Sequence, residues 1–183
     1  MASETRVVFS SGFEALFSKE LRAKVTPALE ASLKAAGLRL DKPFQAAYPV
    51  EVWLQSVQLT AKHLHPEDSI PEAYRKLGRS TIVGFTETLI GRALFSLLRL
   101  IGPVRALDRA ARNYASANNF TKVVLTRVGP TSFDFHLNEV DMPPQYDMGV
   151  LEEALVQLHV TSPRVTLQNQ DPQGFTMRLE WNA

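Results

Sequence analysis

Apolar residues in the first 117 positions recur at helical spacing. After a short strand at 5–9, one row of four apolar side chains predicts a helix. That row consists of Phe13, Leu16, Phe17 and Leu21. Thr26 followed by Pro27 is typical of a helix start, so a second helix is expected to begin there and to end at Gly37.

Two further apolar stretches continue this helical pattern. The segment 48–66 predicts a third helix that Pro66 ends. The segment 71–102 is too long for a typical globular helix, and we expect a break near 78–80. One more short helix is predicted at 104–117.

The second half of the chain changes to a period of two. The segments 133–140 and 175–181 alternate apolar and polar residues and predict two half-buried strands. Each pairs with a preceding strand, at 120–128 and at 164–170, across a short turn. An amphipathic helix lies between the two hairpins and carries Met148, Leu151, Leu155 and Leu158.

These patterns predict one α+β domain that covers 1–183. Its helical half, about 1–117, packs on an antiparallel sheet built from two hairpins with a helix between them, about 118–183. With 45% hydrophobic residues, a chain of 183 residues can bury a sizeable core.

The most apolar window, 82–101, does not predict a membrane span. It contains Glu87, Arg92 and Arg99, and each charge near a bilayer centre costs about 2.5 to 3.5 kcal/mol. The first residues also lack the long apolar run of a secretion signal. We therefore expect a cytoplasmic protein.

The residue types restrict the chemistry. The chain has no cysteine, which excludes disulfides, thiolate metal sites and cysteine nucleophiles. It also lacks the common nucleophile and nucleotide-binding motifs. His63 and His65 lie two positions apart, a spacing that places them on different sides of a helix. We expect neither a metal site nor a cofactor.

The charges are unevenly distributed. Residues 75–112 contain eight Arg or Lys and two Asp or Glu, whereas residues 134–183 contain two and eight. Arg105, Arg109 and Arg112 form a row at helical spacing and are a candidate interaction surface. An acidic protein partner or a second copy of the chain would fit this charge pattern, whereas nucleic acid is not expected.

A strip of small residues interrupts the apolar window. Gly84, Thr88 and Gly91 recur four and three positions apart. Either the strip lets a neighbouring helix approach closely, or it forms one wall of a groove for an apolar ligand. In the second case the other walls are expected to be Phe133, Phe135, Met177 and Trp181, with Leu94 and Leu98.

Several segments together resemble a known family. They are "YPVEVW", "AYRKLGRSTIVGFTETLIGRAL", "ARNYASANNFTKVVL", "LNEV" and "LEW". In this order they resemble a myxobacterial paralogous family whose common element is a domain of unknown function. More distantly, "LGRSTIVGF" and "YDMGVLEEAL" resemble the superfamily that contains the haem-binding nitric-oxide sensor domain, the vinyl-reductase-like ligand domain and the small Golgi transport tethering subunits.

The resemblance implies a fold that encloses apolar ligands or pairs with proteins, but this sequence departs from the haem sensors. Those domains supply a proximal histidine from a central helix, and residues 66–135 here contain none. Their tyrosine–serine–arginine motif is only partly matched by Tyr114, Ser116 and Asn118, without the arginine. The sequence therefore predicts no haem.

Three hypotheses follow for the function. The first is a non-enzymatic sensor or interaction module that binds an apolar small molecule or a partner protein, with an apolar pocket or groove. We also expect a homo-oligomer. The second is an enzyme whose acid–base groups are His136 with Asp134, or Tyr146 with Asp147. The third is a structural dimer subunit without a ligand.

Overall fold

The computed structural model describes residues 5–138 and 140–182, and for residues 110–113 and 115 it describes the backbone only. A helical half leads into a four-stranded antiparallel sheet, and one further helix packs on that sheet. The predicted α+β class is confirmed.

Apart from a short unpredicted strand at Ala47–Pro49 and a helix break that lies later than expected, the elements follow the order that the hydrophobic pattern predicts. The helices are α1 (Ser10–Phe13), which continues into a π-helical segment (Glu14–Glu20), then α2 (Pro27–Ala35), α3 (Val50–Leu64), α4 (Ile70–Glu87), α5 (Leu89–Ile101), α6 (Pro103–Asn113) and α7 (Pro144–Gln157). The strands are β1 (Val7–Phe9), β2 (Ala47–Pro49), β3 (Val123–Gly129), β4 (Ser132–Leu137), β5 (Arg164–Asp171) and β6 (Gly174–Glu180).

The predicted position of the helix break is wrong. α4 continues without interruption through 78–80, and the chain turns at Thr88 so that the axes of α4 and α5 differ by 95°. The Thr88 hydroxyl accepts a hydrogen bond of 2.9 Å from the Gly91 backbone N–H, as a helix N-cap does. The new helix begins at this cap, whereas Gly78 lies in a buried helix interior.

The four-stranded sheet has the order β3-β4-β6-β5, and all neighbouring strands are antiparallel. Its strands alternate as the sequence predicts, with one face buried and one face polar. The fully buried side chains on the inner face are Phe133, Phe135, Leu137, Val165, Phe175, Met177 and Leu179.

α7 lies between two hydrophobic cores. Tyr146 belongs to the helical core, which also contains Phe13 and Trp53. Met148 and Leu151 belong to the sheet core. Because one helix contributes to both cores, it holds the helical half against the sheet.

β1 also joins the two halves. Besides pairing with β2, it contacts the segment that leads into the sheet. The Phe9 N–H donates a hydrogen bond of 2.9 Å to the Ala117 carbonyl, and the Val7 N–H donates one of 2.9 Å to the Asn119 side chain. This short strand therefore fixes the entry to β3 against the helical core.

Within the described ranges, none of the helices is both long and apolar enough to cross a membrane by itself. α4 and α5 meet the length and composition criteria only when taken together, across their 95° bend.

Candidate functional site

A cavity of about 250 Å³ lies where the helical core meets the sheet core. Val8 and Trp53 line it from the helical side, and Leu107 and Leu151 line it from the sheet side. α5 contributes Leu94, Phe95 and Leu98 to the same wall. The wall is therefore mostly aliphatic and aromatic, which favours an apolar occupant.

Two glycines bring α7 close to α4 beside this cavity. A Cβ atom on Gly78 would lie 2.0 Å from the Tyr146 carbonyl oxygen, and one on Gly149 would lie 2.0 Å from the Arg75 carbonyl oxygen. Only glycine fits at either position, since a side chain would overlap backbone atoms. The two helices cross in direct backbone contact, and this contact sets where Tyr146 and Asp147 stand in the cavity wall.

An ion-pair cluster fixes the same crossing one turn farther along. The buried Glu152 carboxylate on α7 accepts hydrogen bonds from the guanidinium groups of Arg75 (3.0 Å) and Arg79 (2.6 Å) on α4. Burial alone would raise the pKa of the Glu152 carboxyl, but the hydrogen bonds from both arginines hold this pKa below its ordinary value. The carboxylate is therefore charged and doubly paired.

Polar groups occur in the cavity wall as hydrogen-bonded pairs. The Tyr114 hydroxyl donates to the Asp147 carboxylate at 3.3 Å, and the hydroxyls of Tyr146 and Thr81 lie 2.7 Å apart. Burial, and then the nearby Asp147 charge, raise the pKa of the Tyr114 phenol well above its ordinary value.

The second phenol behaves in the same way. Burial raises the pKa of Tyr146 despite its hydrogen bond with Thr81. Both phenols stay protonated at neutral pH, so each can donate a hydrogen bond but cannot act as a base. The predicted acid–base pair Tyr146 and Asp147 does line the cavity, where these two residues can orient a bound molecule.

The small-residue strip packs against backbone atoms and does not line the cavity. A Cβ atom on Gly84 would lie 1.9 Å from the Ala15 carbonyl oxygen, and one on Gly91 would lie 1.8 Å from the Phe85 carbonyl oxygen. Thr88 caps α5. The groove hypothesis for this strip is therefore wrong, and close packing, the alternative explanation, accounts for Gly84.

The predicted sheet residues also lie outside the cavity wall. Phe133, Phe135 and Met177 are enclosed in the sheet core. Trp181 stacks on Phe133 with ring centroids 5.6 Å apart. The alternation correctly predicted which strand residues point inward, but not which of them reach the cavity. Of the predicted walls, Leu94 and Leu98 line the cavity.

The pair His136 and Asp134 lies on the outer face of the sheet, each bound to a different partner. Asp134 pairs with Arg178, with one contact of 3.0 Å, and the His136 ring bonds the Thr176 hydroxyl at 3.1 Å. The carboxylate does not orient the imidazole in this arrangement. In the part of the chain that the structure describes, three or more His, Cys, Asp or Glu do not cluster as a metal site would require.

Some charges of the basic and acidic segments pair with each other within the chain. Arg75 and Arg79 from the basic segment pair with Glu152 from the acidic segment. Arg105 and Arg109 are exposed on α6, and the side chain of Arg112 lies outside the described part. An acidic partner and a second copy at this surface stay predictions.

Sequence reasoning missed several cavity residues. Trp53 on α3, Thr81 on α4 and Phe95 on α5 all line the cavity but come from three different helices. The pattern at 48–66 predicts a helix around Trp53 but not that Trp53 lines a cavity. No spacing rule relates such residues, because their proximity arises from the packing of distant elements.

Comparisons with known proteins agree with this architecture. The family described as "Protein of unknown function (DUF2378)" matches residues 6–182. No curated protein matches the chain significantly. Among solved structures, an H-NOX protein from S. oneidensis in the Fe(II)NO state is 12% identical with a TM-score of 0.63, covering 96% of this chain and 99% of that chain.

Two further H-NOX structures have the same fold. A mutant of the T. tengcongensis H-NOX domain is 13% identical with a TM-score of 0.64, covering 94% of this chain and 96% of that one. An oxygen-binding H-NOX domain related to soluble guanylate cyclases is 14% identical with a TM-score of 0.64, covering 95% and 93%. At this identity the likeness establishes the fold.

The cavity residues do not fit a haem, the group whose distortion is probed in another similar structure, from the H-NOX family. Among the described residues that line the cavity, no side chain is a histidine or cysteine that could ligate iron. Tyrosine can ligate haem iron, but both tyrosines here are hydrogen-bonded phenols with a raised pKa. Haem chemistry therefore has no support from these side chains.

Proposed function

The chain belongs to the DUF2378 family, and we propose that it is a ligand-binding sensor domain for a small, mostly apolar molecule that carries one hydrogen-bonding group. The observation that supports this proposal is the cavity between the two cores, which has an apolar wall and a hydrogen-bonded polar edge. The H-NOX-like fold agrees with it.

The volume limits the size of the ligand. An apolar cavity of about 150 Å³ is enough for benzene, whereas drug-sized ligands occupy about 300 to 1,000 Å³. A cavity of about 250 Å³ falls between these values. The ligand class that fits is a molecule of about two fused rings, or a short branched chain of similar volume.

The polar edge determines where the hydrogen-bonding group of the ligand lies. A carboxylate has about four lone-pair sites, so Asp147 can accept a bond from a ligand hydroxyl while it accepts one from Tyr114. Because this edge is buried, a ligand hydroxyl that failed to pair there would lose its hydrogen bonds to water without replacing them. A hydroxyl or amine on an otherwise apolar molecule is therefore favoured over a plain hydrocarbon.

Isothermal titration calorimetry with 2-naphthol and naphthalene tests the proposal. We expect 2-naphthol to bind with the higher affinity. Ala154→Leu on α7 adds bulk to the cavity wall and should weaken 2-naphthol binding by at least about tenfold. The matched control is Val156→Leu on the same helix. Val156 is exposed, so this variant should bind 2-naphthol like the wild type.

Tryptophan fluorescence gives a second readout of occupancy. Trp53 lines the cavity, whereas Trp181 stacks on Phe133 in the sheet core. Naphthalene that enters the cavity should change the emission of Trp181→Phe and leave that of Trp53→Phe unchanged. If neither compound binds, or if Ala154→Leu binds 2-naphthol as well as Val156→Leu does, the proposal is wrong.

A further inference from the structure

One face of α5 is apolar and exposed. Leu89, Ile90 and Leu100 expose 78%, 72% and 84% of their surface, and Leu97 exposes 45%. At 100° per residue, all four lie within about 100° of the helix circumference. The opposite side of the same helix carries the buried Phe95 and Leu98. The rest of the protein therefore covers one side of α5 and leaves the other side exposed.

Positive charge borders this apolar face. Arg92 and Arg99 lie along one flank of α5, seven positions apart, and both are exposed. Arg99 also donates a hydrogen bond of 2.7 Å to the Gln157 carbonyl on α7. No acidic residue occurs within Leu89–Ile101. α6 follows directly and adds the exposed Arg105 and Arg109, together with the exposed Asp108. The exposed face of α5, its two arginines and the exposed arginines of the adjoining helix α6 are together called the α5–α6 surface below.

We infer that the α5–α6 surface binds an anionic lipid bilayer. Exposed aliphatic side chains on a helix with arginines at the border are the pattern of helices that lie in the membrane interface. The leucine and isoleucine side chains would enter the boundary between headgroups and acyl chains, while the guanidinium groups bind lipid phosphates. The helix lies on the membrane surface and does not cross it.

Charge separates this occupant from a second copy of the chain. If α5 packed against α5 of another copy, Arg92 and Arg99 of both copies would come together without a carboxylate on either helix. Like charges at such a contact oppose association. An anionic bilayer would neutralise the same arginines and also cover the apolar face. It therefore accounts for both the exposed aliphatic side chains and the arginines beside them.

Sedimentation of the full chain with vesicles tests the inference. We expect binding to vesicles of equal parts phosphatidylcholine and phosphatidylglycerol, and little binding to phosphatidylcholine alone. Leu100→Asp should weaken the binding by at least about tenfold, and Arg92→Gln by about fivefold. Salt at about 1 M, where the Debye length is about 3 Å, should weaken binding of the wild type to the anionic vesicles.

Two matched controls separate this surface from general effects. Ile70→Asp changes an exposed aliphatic residue at the other end of α4, and Arg22→Gln removes an exposed arginine outside the surface. Both should bind the anionic vesicles like the wild type. Binding of 2-naphthol to Leu100→Asp should also be unchanged, which shows that the variant is folded and separates this inference from the cavity proposal.

Three results would overturn the inference. They are failure of the wild type to bind anionic vesicles at low salt, equal binding to both vesicle types, and equal loss of binding in Ile70→Asp and Leu100→Asp. In the first case the exposed face of α5 would be available for a protein partner instead.

Discussion

α4 and α5 follow each other directly in the chain, but the protein surrounds them differently. α4 packs against backbone at two points, with Gly78 against α7 and Gly84 against the π-helical segment. α5 is covered on one side, where it lines the cavity, and exposes leucine and isoleucine on the other.

The difference shows that two consecutive helices serve different purposes here. In α4 the small residues allow backbone contact on two sides, so this helix positions its neighbours. In α5 the large residues either line the cavity or are exposed to solvent. The outer side of this helix therefore makes few contacts with the rest of the protein. We expect substitutions in α4 to act on stability and those on the outer side of α5 to act on binding.

Gly84→Leu should have the largest effect on stability. The Cβ atom alone would lie 1.9 Å from the Ala15 carbonyl oxygen, so the helix backbones must separate. Overpacking usually costs about 1 to 3 kcal/mol, and a backbone overlap should cost more than about 3 kcal/mol. Urea denaturation measures this change.

Gly12→Ala is the control for this substitution, because its Cβ atom would meet Trp53 at an ordinary 3.7 Å. It should be close to neutral. A stable Gly84→Leu protein with an unchanged denaturation midpoint would show that α4 is not held by backbone contact at this point.

Leu98→Ala and Leu100→Ala compare the two sides of α5 directly. Leu98 is 5% exposed and lines the cavity, so its truncation should cost about 2 to 4 kcal/mol of unfolding free energy. Leu100 is exposed, and its truncation should change stability by no more than about 0.5 kcal/mol. Thermal unfolding of both variants beside the wild type measures the difference. Equal losses would mean that the outer side is covered.

Glu152→Gln should have a smaller effect than Gly84→Leu or Leu98→Ala, and its effect should depend on pH. The variant leaves Arg75 and Arg79 without a carboxylate, and we expect a loss of about 1 to 3 kcal/mol at neutral pH. The pKa of Glu152 in the folded protein lies below the ordinary value of 4.5. Its stabilisation is therefore present above about pH 4.5 and is lost as the pH falls through the folded pKa.

Urea denaturation at neutral and acidic pH checks this prediction. The wild type should lose more stability than Glu152→Gln as the pH falls, and the two curves should converge in acid. If the gap between them stayed constant or widened in acid, the ion pair would not be the source of the difference.

The sequence predicted the sheet well because each strand's alternation reports its own two faces. Phe133, Phe135 and Met177 point inward as expected. The sequence predicted the position of the break in segment 71–102 poorly. Glycine weakens a helix locally, but close contact with a neighbouring helix can require a glycine inside a helix. Gly78 is such a case, and the actual break depends on the hydroxyl of Thr88.

The cavity could not be predicted from sequence patterns. Its wall combines residues from β1, α3, α5 and α7, and it exists because two separately packed cores do not fill the space between them. Helical periodicity identifies the inner side of α5 but does not show whether a side chain such as Leu98 meets another side chain or an empty volume.

The contact of β1 with the segment before the sheet affects the order of events during synthesis. Val7 and Asn119 are 112 positions apart, yet they share a hydrogen bond. At about 5 to 20 residues per second, the ribosome adds the second residue roughly 6 to 22 seconds after the first. Until then β1 lacks one of its partners, and the helical half emerges with that strand edge open to chaperones.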